Sequence, residues 1–227
     1  MLIAGTGDIH HPKFTHLLES SLNSMSVSPD AFLIAGDVLK PNDPSDYSQV
    51  MEIIDRYVEC PLVAAFGNTE FSEDRDYIRE QNPSIVFLDD ESCNMKLGGI
   101  DTLIVGSTGS LERPTSWQKR NIPHINDIYK ARVETVSSLL KAPGQVKILL
   151  LHYAPTYLTL EGERKNSYPW MGTRRYEAVV TERRPDAVIH AHAHNGSGYA
   201  EIDGIPIYNV SLPLNEEVVT LELGPSS

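Results

Sequence analysis

The chain has 227 residues, 41% of them hydrophobic and 22% charged, enough for one full-sized globular core, and the whole of 1–227 reads as one domain. A formal charge of −12, from 31 acidic and 19 basic side chains, speaks against a surface built to grip the phosphate backbone of nucleic acid. No apolar run approaches the ~20 residues needed to span a bilayer, and residues 1–5 lack a basic leader, so no membrane partner and a cytoplasmic location are expected.

In chain order, residues 1–5, 31–35, 61–66 and 85–88 are short apolar runs that read as buried strands. Helical spacing with a polar face fills the intervals around 14–25, 45–57 and 74–81, and this βαβαβαβ opening favours a parallel sheet covered by helices. The pattern then changes. Residues 95–97 and 100–105, joined by Gly98-Gly99, read as a hairpin. Residues 127–141 form the best helix signal, with Val136, Leu139 and Leu140 on its core stripe and Pro143-Gly144 closing it. Strands follow at 147–151 and 186–189, on either side of a long connection. The tail reads as antiparallel strands at 199–202, 205–209 and 218–223, with Asp203-Gly204 as the first turn. Two stacked sheets with helices outside account for this order. Cys60 and Cys93 belong to no Cys-x-x-Cys pair and are expected as small, part-buried thiols.

Chemistry-bearing residues recur where these strands end. Asp8 and His10 follow the first strand, Asp37 the second and Asn68 the third, while His152 caps 148–151 and His192-Ala193-His194 follows 187–189. In open α/β sheets ligands gather beyond the carboxyl ends of strands, so these dispersed residues can converge on one edge. Glycines at 5, 7, 36 and 67 permit the turns that would aim them inward. Carboxylates, imidazoles and one amide oxygen suit divalent ions such as Mn²⁺, Fe²⁺ or Zn²⁺. Seven donors exceed what one ion needs; two ions sharing a bridging carboxylate use them all.

The ordered set Asp8-x-His10, Gly36-Asp37, Gly67-Asn68, His152 and His192-x-His194 resembles the signature of the calcineurin-like metallophosphoesterase superfamily. In finer grain, the segment from Gly109 to Gln118 is similar to the small prokaryotic Icc-like phosphoesterases, and Asn209-Val210-Ser211 resembles an altered form of the family's closing turn. The resemblance implies a four-layer αββα sandwich of two mixed sheets flanked by helices. It implies one ion on Asp8, His10, Asp37 and His194 and a second on Asp37, Asn68, His152 and His192, Mn²⁺ being the first choice. It implies hydrolysis of a small phosphorylated substrate by metal-activated hydroxide. A scaffold that keeps the fold and metals without turnover is the alternative.

Two departures matter. Ala191 stands where the family's Gly-His-x-His block has glycine, and His190 makes the register ambiguous; the ligands are placed at His192 and His194 because Asn195-Gly196 follows as a turn. Thr69 stands where monoesterases of the family carry a histidine, and a threonine hydroxyl is a poor general acid near neutral pH. By resemblance this favours a phosphodiesterase, with Asp37, Asn68, Thr69 and His152 nearest the chemistry. Arg174 and Arg175, and His11 beside the site, are expected to touch substrate. Glu70 is expected to brace the Asn68 loop, Asp43 and Asp46 to be solvated turn charges, and Arg183-Arg184 to close a helix.

Overall fold

The computed structural model describes residues 1–40 and 44–225, so Asp43 lies outside the described residues. The chain begins with β1 (Leu2–Thr6), α1 (Thr15–Ser24), β2 (Ala31–Ala35), α2 (Tyr47–Asp55), β3 (Leu62–Ala65), α3 (Arg75–Gln81) and β4 (Ile85–Leu88). Every residue of β2 and β3 is buried, because both faces of this parallel sheet are covered; that is why their sequences run apolar without alternation. The hairpin β5 (Glu91–Leu97) and β6 (Ile100–Ser107) leads to α4 (Ser116–Asn121), α5 (Ile125–Leu139) and β7 (Val146–Leu151). After a long connection come α6 (Arg175–Arg183), β8 (Ala187–His190), β9 (Tyr199–Ile202), β10 (Ile205–Asn209), α7 (Leu212–Asn215) and β11 (Val219–Glu222).

Two mixed sheets result. One runs β11-β1-β2-β3-β4, with β1 to β4 parallel and β11 antiparallel at the edge. The other runs β5-β6-β7-β8-β10-β9, with β6, β7, β8 and β10 parallel between two antiparallel edge strands. Leu33, Val63, Ile148, Leu150 and Ile189 interdigitate between the sheets. Leu18, Val50, Ile54 and Ile78 bring α1, α2 and α3 onto the outer face of the first sheet. Val136, Tyr176 and Val180 bring α5 and α6 onto the second. The layers are αββα, as expected.

The tail corrects one expectation. Asp203 and Gly204, both left-handed, do turn β9 into β10 as an antiparallel hairpin. On its other side, however, β10 lies parallel to β8, and β11 crosses to the first sheet to pair with β1. The Leu212 N–H bonds Gly7 O at 2.9 Å, so the two sheets are tied together at the end where their parallel strands terminate. Arg183 sits in the last turn of α6 with Arg184 at its left-handed cap, where cations offset the helix dipole. Asp46 caps α2 and accepts from Gln49. Among the described residues, no helix is long and apolar enough to cross a membrane.

Candidate metal centre

The loop after each of β1, β2, β3, β7 and β8 delivers one or two polar side chains to a common crest. Four of these residues, Asp8, His10, Asp37 and His192, have φ of 57°, 44°, 53° and 71°, the left-handed region that non-glycine residues rarely enter. Their backbones are held there by strand-to-strand bonds: Asp8 N to Gly36 O at 3.0 Å and His10 N to Asp37 O at 3.0 Å. The crest is crowded enough to require glycine at two points. Gly36 is left-handed at 79°, and a Cβ on Gly67 would land on the carboxylate and backbone nitrogen of Asp37. Gly7 serves another purpose, since a Cβ there would come within 2.6 Å of the Ala191 Cβ. The methyl of Ala191, where a glycine was expected, is thus accommodated by the glycine facing it.

Two groups of side chains come together, each with ligand atoms within 4.8 Å of one another: Asp8, His10 and His194, and Asp8, Asp37, His152 and His192. Asp8 is fully buried; its Oδ2 accepts the His192 N–H at 2.7 Å, while Oδ1 has no hydrogen-bond partner and lies 3.4 Å from His194 Nε2. Asp37 faces both groups, with Oδ1 3.5 Å from His152 Nε2 and Oδ2 3.9 Å from His10 Nε2. His152 directs Nδ1 at the Ala35 carbonyl, 2.9 Å away, so that nitrogen carries the proton. The lone pair on Nε2 then faces Asn68 Oδ1 at 3.1 Å, two acceptors with no hydrogen between them. An orphaned carboxylate oxygen and a facing pair of acceptors are what a cation would join, so the donor set fits divalent metal.

Electrostatics agree. Burial pushes the Asp8 carboxyl up, but the His194 contact and the nearby His152 and His192 outweigh it and hold the group well below the ordinary carboxylate range. Burial, reinforced by His152, lowers His192 to about 3, so its imidazole is neutral at any ordinary pH. His194 is raised: burial opposes its charge, but Asp8, Asp37 and Glu163 more than reverse this.

Glu70 is the brace, and it does more than expected. Its buried carboxylate accepts the N–H of Asp37 at 3.0 Å, Val38 at 2.8 Å, Leu39 at 3.3 Å and Gly67 at 2.7 Å, stitching the β2 and β3 loops together. Burial and the field of Asp37 raise its pKa. Thr69 turns inward too, its N–H and hydroxyl meeting Asp37 Oδ1 at 2.9 and 3.1 Å, with Glu70 Oε1 an alternative acceptor at 3.3 Å.

His190 belongs to neither group; it is buried, with Nδ1 on Ala191 O at 2.7 Å, and burial lowers it to about 4. His11 lies on the crest loop but bonds Thr15 Oγ1 at 2.8 Å. Arg174 clasps Glu177 at 3.0 Å and Arg175 reaches Glu112 at 3.4 Å; neither lines the cleft of about 350 Å³ over the ligands. The long connection instead contributes Glu163 and Met171 to that cleft. Glu163 holds the turn after His194 by accepting Asn195 N–H at 2.8 Å, and Asn209 holds the same segment by donating to Ala193 O at 2.8 Å. Nothing local in the sequence marks Glu163, since its partner is 32 residues away.

A family model described as calcineurin-like phosphoesterase matches residues 1–196. No curated protein matches the sequence. Among solved structures, a phosphopantetheinyl hydrolase from Mycobacterium tuberculosis superposes with a TM-score of 0.71 at 15% identity, over 94% of this chain and 90% of that one. A 5'-nucleotidase precursor from Thermus thermophilus gives 0.51 at 16% identity, over 86% of this chain and 42% of that one. GAP50, the anchor in the inner membrane complex of Plasmodium, gives 0.55 at 11% identity, over 94% of this chain and 72% of that one. At these identities the likeness is one of fold.

Proposed function

The chain belongs to the calcineurin-like phosphoesterase family, and from that premise we propose that it is a metal-dependent phosphoric ester hydrolase with two divalent ions and a preference for diesters. Fold alone does not choose between catalysis and anchoring, since the neighbours include both; the observation that carries the reading is Asp37 facing both donor groups. Asp8, His10, Asp37 and His194 would hold one ion and Asp37, Asn68, His152 and His192 the other. Oxygen and imidazole donors in this mixture suit Mn²⁺, with Fe²⁺ or Zn²⁺ as substitutes. Such a pair, when bound, supplies an activated water and neutralises charge on the phosphoryl oxygens.

The chain's own part is placement. Glu70 fixes the Asp37 backbone and Thr69 its carboxylate, the Ala35 carbonyl fixes the His152 tautomer, and Asp8 orients His192 through its backbone N–H. No imidazole stands at residue 69 to protonate a leaving oxygen, and the Thr69 hydroxyl is engaged by carboxylates. That supports esters whose leaving group departs without protonation, and diesters over monoesters.

The test is hydrolysis of bis-p-nitrophenyl phosphate and p-nitrophenyl phosphate by metal-free protein reloaded with Mn²⁺. Diester turnover that requires the metal is expected, and Thr69→His should gain monoesterase activity. Two equivalents of bound Mn²⁺ with neither ester cleaved would instead make the chain a metal-binding scaffold.

A further inference from the structure

Past Asn68 the cleft opens into a second cavity of about 580 Å³, the size of a small-molecule site. One wall is the loop from Gly67 to Arg75 and the other is α4 with the start of α5. The α4 wall is unusual. The helix has a complete capping box, Thr115 with Gln118, yet none of its residues is buried. Trp117 stacks on Phe71, ring centroids 5.6 Å apart and planes at 16°, and still leaves 49% of its surface exposed. Ile128 on the same rim is 39% exposed, while Tyr153 closes the floor and its hydroxyl accepts from Gln118 at 3.2 Å.

The cavity's cations are already spent. Arg75 Nη1 lies 2.7 Å from both Asp89 oxygens, and its remaining nitrogens reach the carbonyls of Glu70 and Gly67 and the hydroxyl of Thr108. Arg132 gives Nε to Asp90 at 2.9 Å and Nη1 to Gly109 O. The other charges on the lining are Glu70 and Glu73. A second phosphate or a carboxylate would meet no free cation among these lining residues and two acids. A neutral group with a flat face would meet an exposed indole and an isoleucine.

We propose that this cavity is the subsite for an uncharged, flat-faced organic ester group of the substrate, carried against Trp117 while the phosphorus lies over the metal ligands. The inference rests on the phosphoesterase reading and narrows it: the substrate is a phosphate ester with one sizeable neutral substituent bearing an aromatic or similarly planar face. Trp117 is then a specificity-determining residue.

The experiment uses Trp170→Phe protein, in which Trp117 is the only tryptophan of the chain's two, loaded with Mn²⁺. Its fluorescence is titrated with diphenyl phosphate, dimethyl phosphate and bis(4-carboxyphenyl) phosphate, which share the phosphodiester and differ in ring and charge. Diphenyl phosphate should quench Trp117 and bind at least ~10-fold more tightly than the other two, the size expected of one ring stacked on an aromatic side chain. In Trp117→Ala, read as inhibition of bis-p-nitrophenyl phosphate turnover, that preference should fall below about threefold, with KM raised and kcat little changed. Equal affinity for all three, or tighter binding of the carboxylated ester, overturns the proposal even when turnover is intact. Quenching by diphenyl phosphate in protein that turns over no ester would instead overturn the phosphoesterase reading and leave the cavity's preference standing.

Discussion

The two walls around Asn68 are built in opposite ways. On the metal side, ligands ride on short loops at strand ends, with Asp8 and His152 fully buried, and the Glu70 carboxylate binds four backbone N–H groups across two loops. On the cavity side, α4 buries none of its six residues, and its Trp117 rests on one other ring. The scaffold over-determines the candidate metal side, whereas α4 is a helix that can shift or be exchanged at small cost.

That contrast can be broken most sharply at Asp37. Asp37→Asn removes a carboxylate that faces both donor groups, and kcat of the Mn²⁺-loaded protein should drop by ~10³-fold or more with the circular dichroism unchanged. Activity within tenfold of the parent would mean the chemistry lies elsewhere. Next in size is Glu70→Ala, which strands the N–H groups of Asp37, Val38, Leu39 and Gly67; urea unfolding should show a loss of about 3–5 kcal/mol, with bound metal lost as well. A loss confined to metal binding would show that the loops hold without their brace. Thr69→Val, by removing the hydroxyl on Asp37, should weaken metal affinity by ~10–100-fold in titration calorimetry, with Thr69→Ser restoring it. Equal affinities would reduce Thr69 to a spacer.

The smallest effect is a pH dependence. His194 has a raised pKa in the metal-free fold, so its protonated form contributes stability that is complete below its ordinary value of 6.5 and disappears as pH rises through the raised one. Metal must displace that proton, so affinity should fall as pH drops through the same raised value, with proton release visible as buffer-dependent calorimetric heats. His192, near 3, releases no proton to the metal between pH 5 and 8, and its depressed pKa costs stability as pH falls below its ordinary 6.5. Proton-free uptake at neutral pH would remove His194 from the coordination.

How much of this was readable from the chain follows the same division. The convergence of Asp8, His10, Asp37, His152, His192 and His194 was legible because each lies just past an apolar run, and strand ends of parallel sheets share an edge. The αββα order was legible for the same reason: runs such as Ile148–Leu151 admit little but a buried strand. The cavity was not, because Phe71, Thr108 and Tyr153 come from the loops after β3, β6 and β7 and meet Trp117 of α4 and Arg132 of α5 only in the folded chain. Helix α6 was legible only at its end, where Arg183-Arg184 reads as a helix terminus; it buries only Tyr176, Val179 and Val180 among charged neighbours, too thin a stripe to mark where it begins. Arg174 and Arg175 looked free in sequence because Glu112, the partner of Arg175, is 63 residues away, and the Glu177 pairing of Arg174 depends on where α6 begins, which the sequence does not mark. The parallel partner of β10 was equally invisible, since a hairpin turn specifies only one of a strand's two neighbours.

The left-handed backbones of Asp8, His10, Asp37 and His192 carry a consequence for how such a chain changes over generations. Each of these residues stands in a conformation costing roughly 1–2 kcal/mol, which glycine would relieve. At Asp8 and Asp37 the N–H groups of His192 and Thr69 that their carboxylates accept offset that relief, so drift judged on stability alone runs downhill at His10 and His192. Reverting one ligand from glycine would have to climb that slope before any turnover was recovered. A histidine lost from this crest to glycine would therefore not return under selection for folding alone.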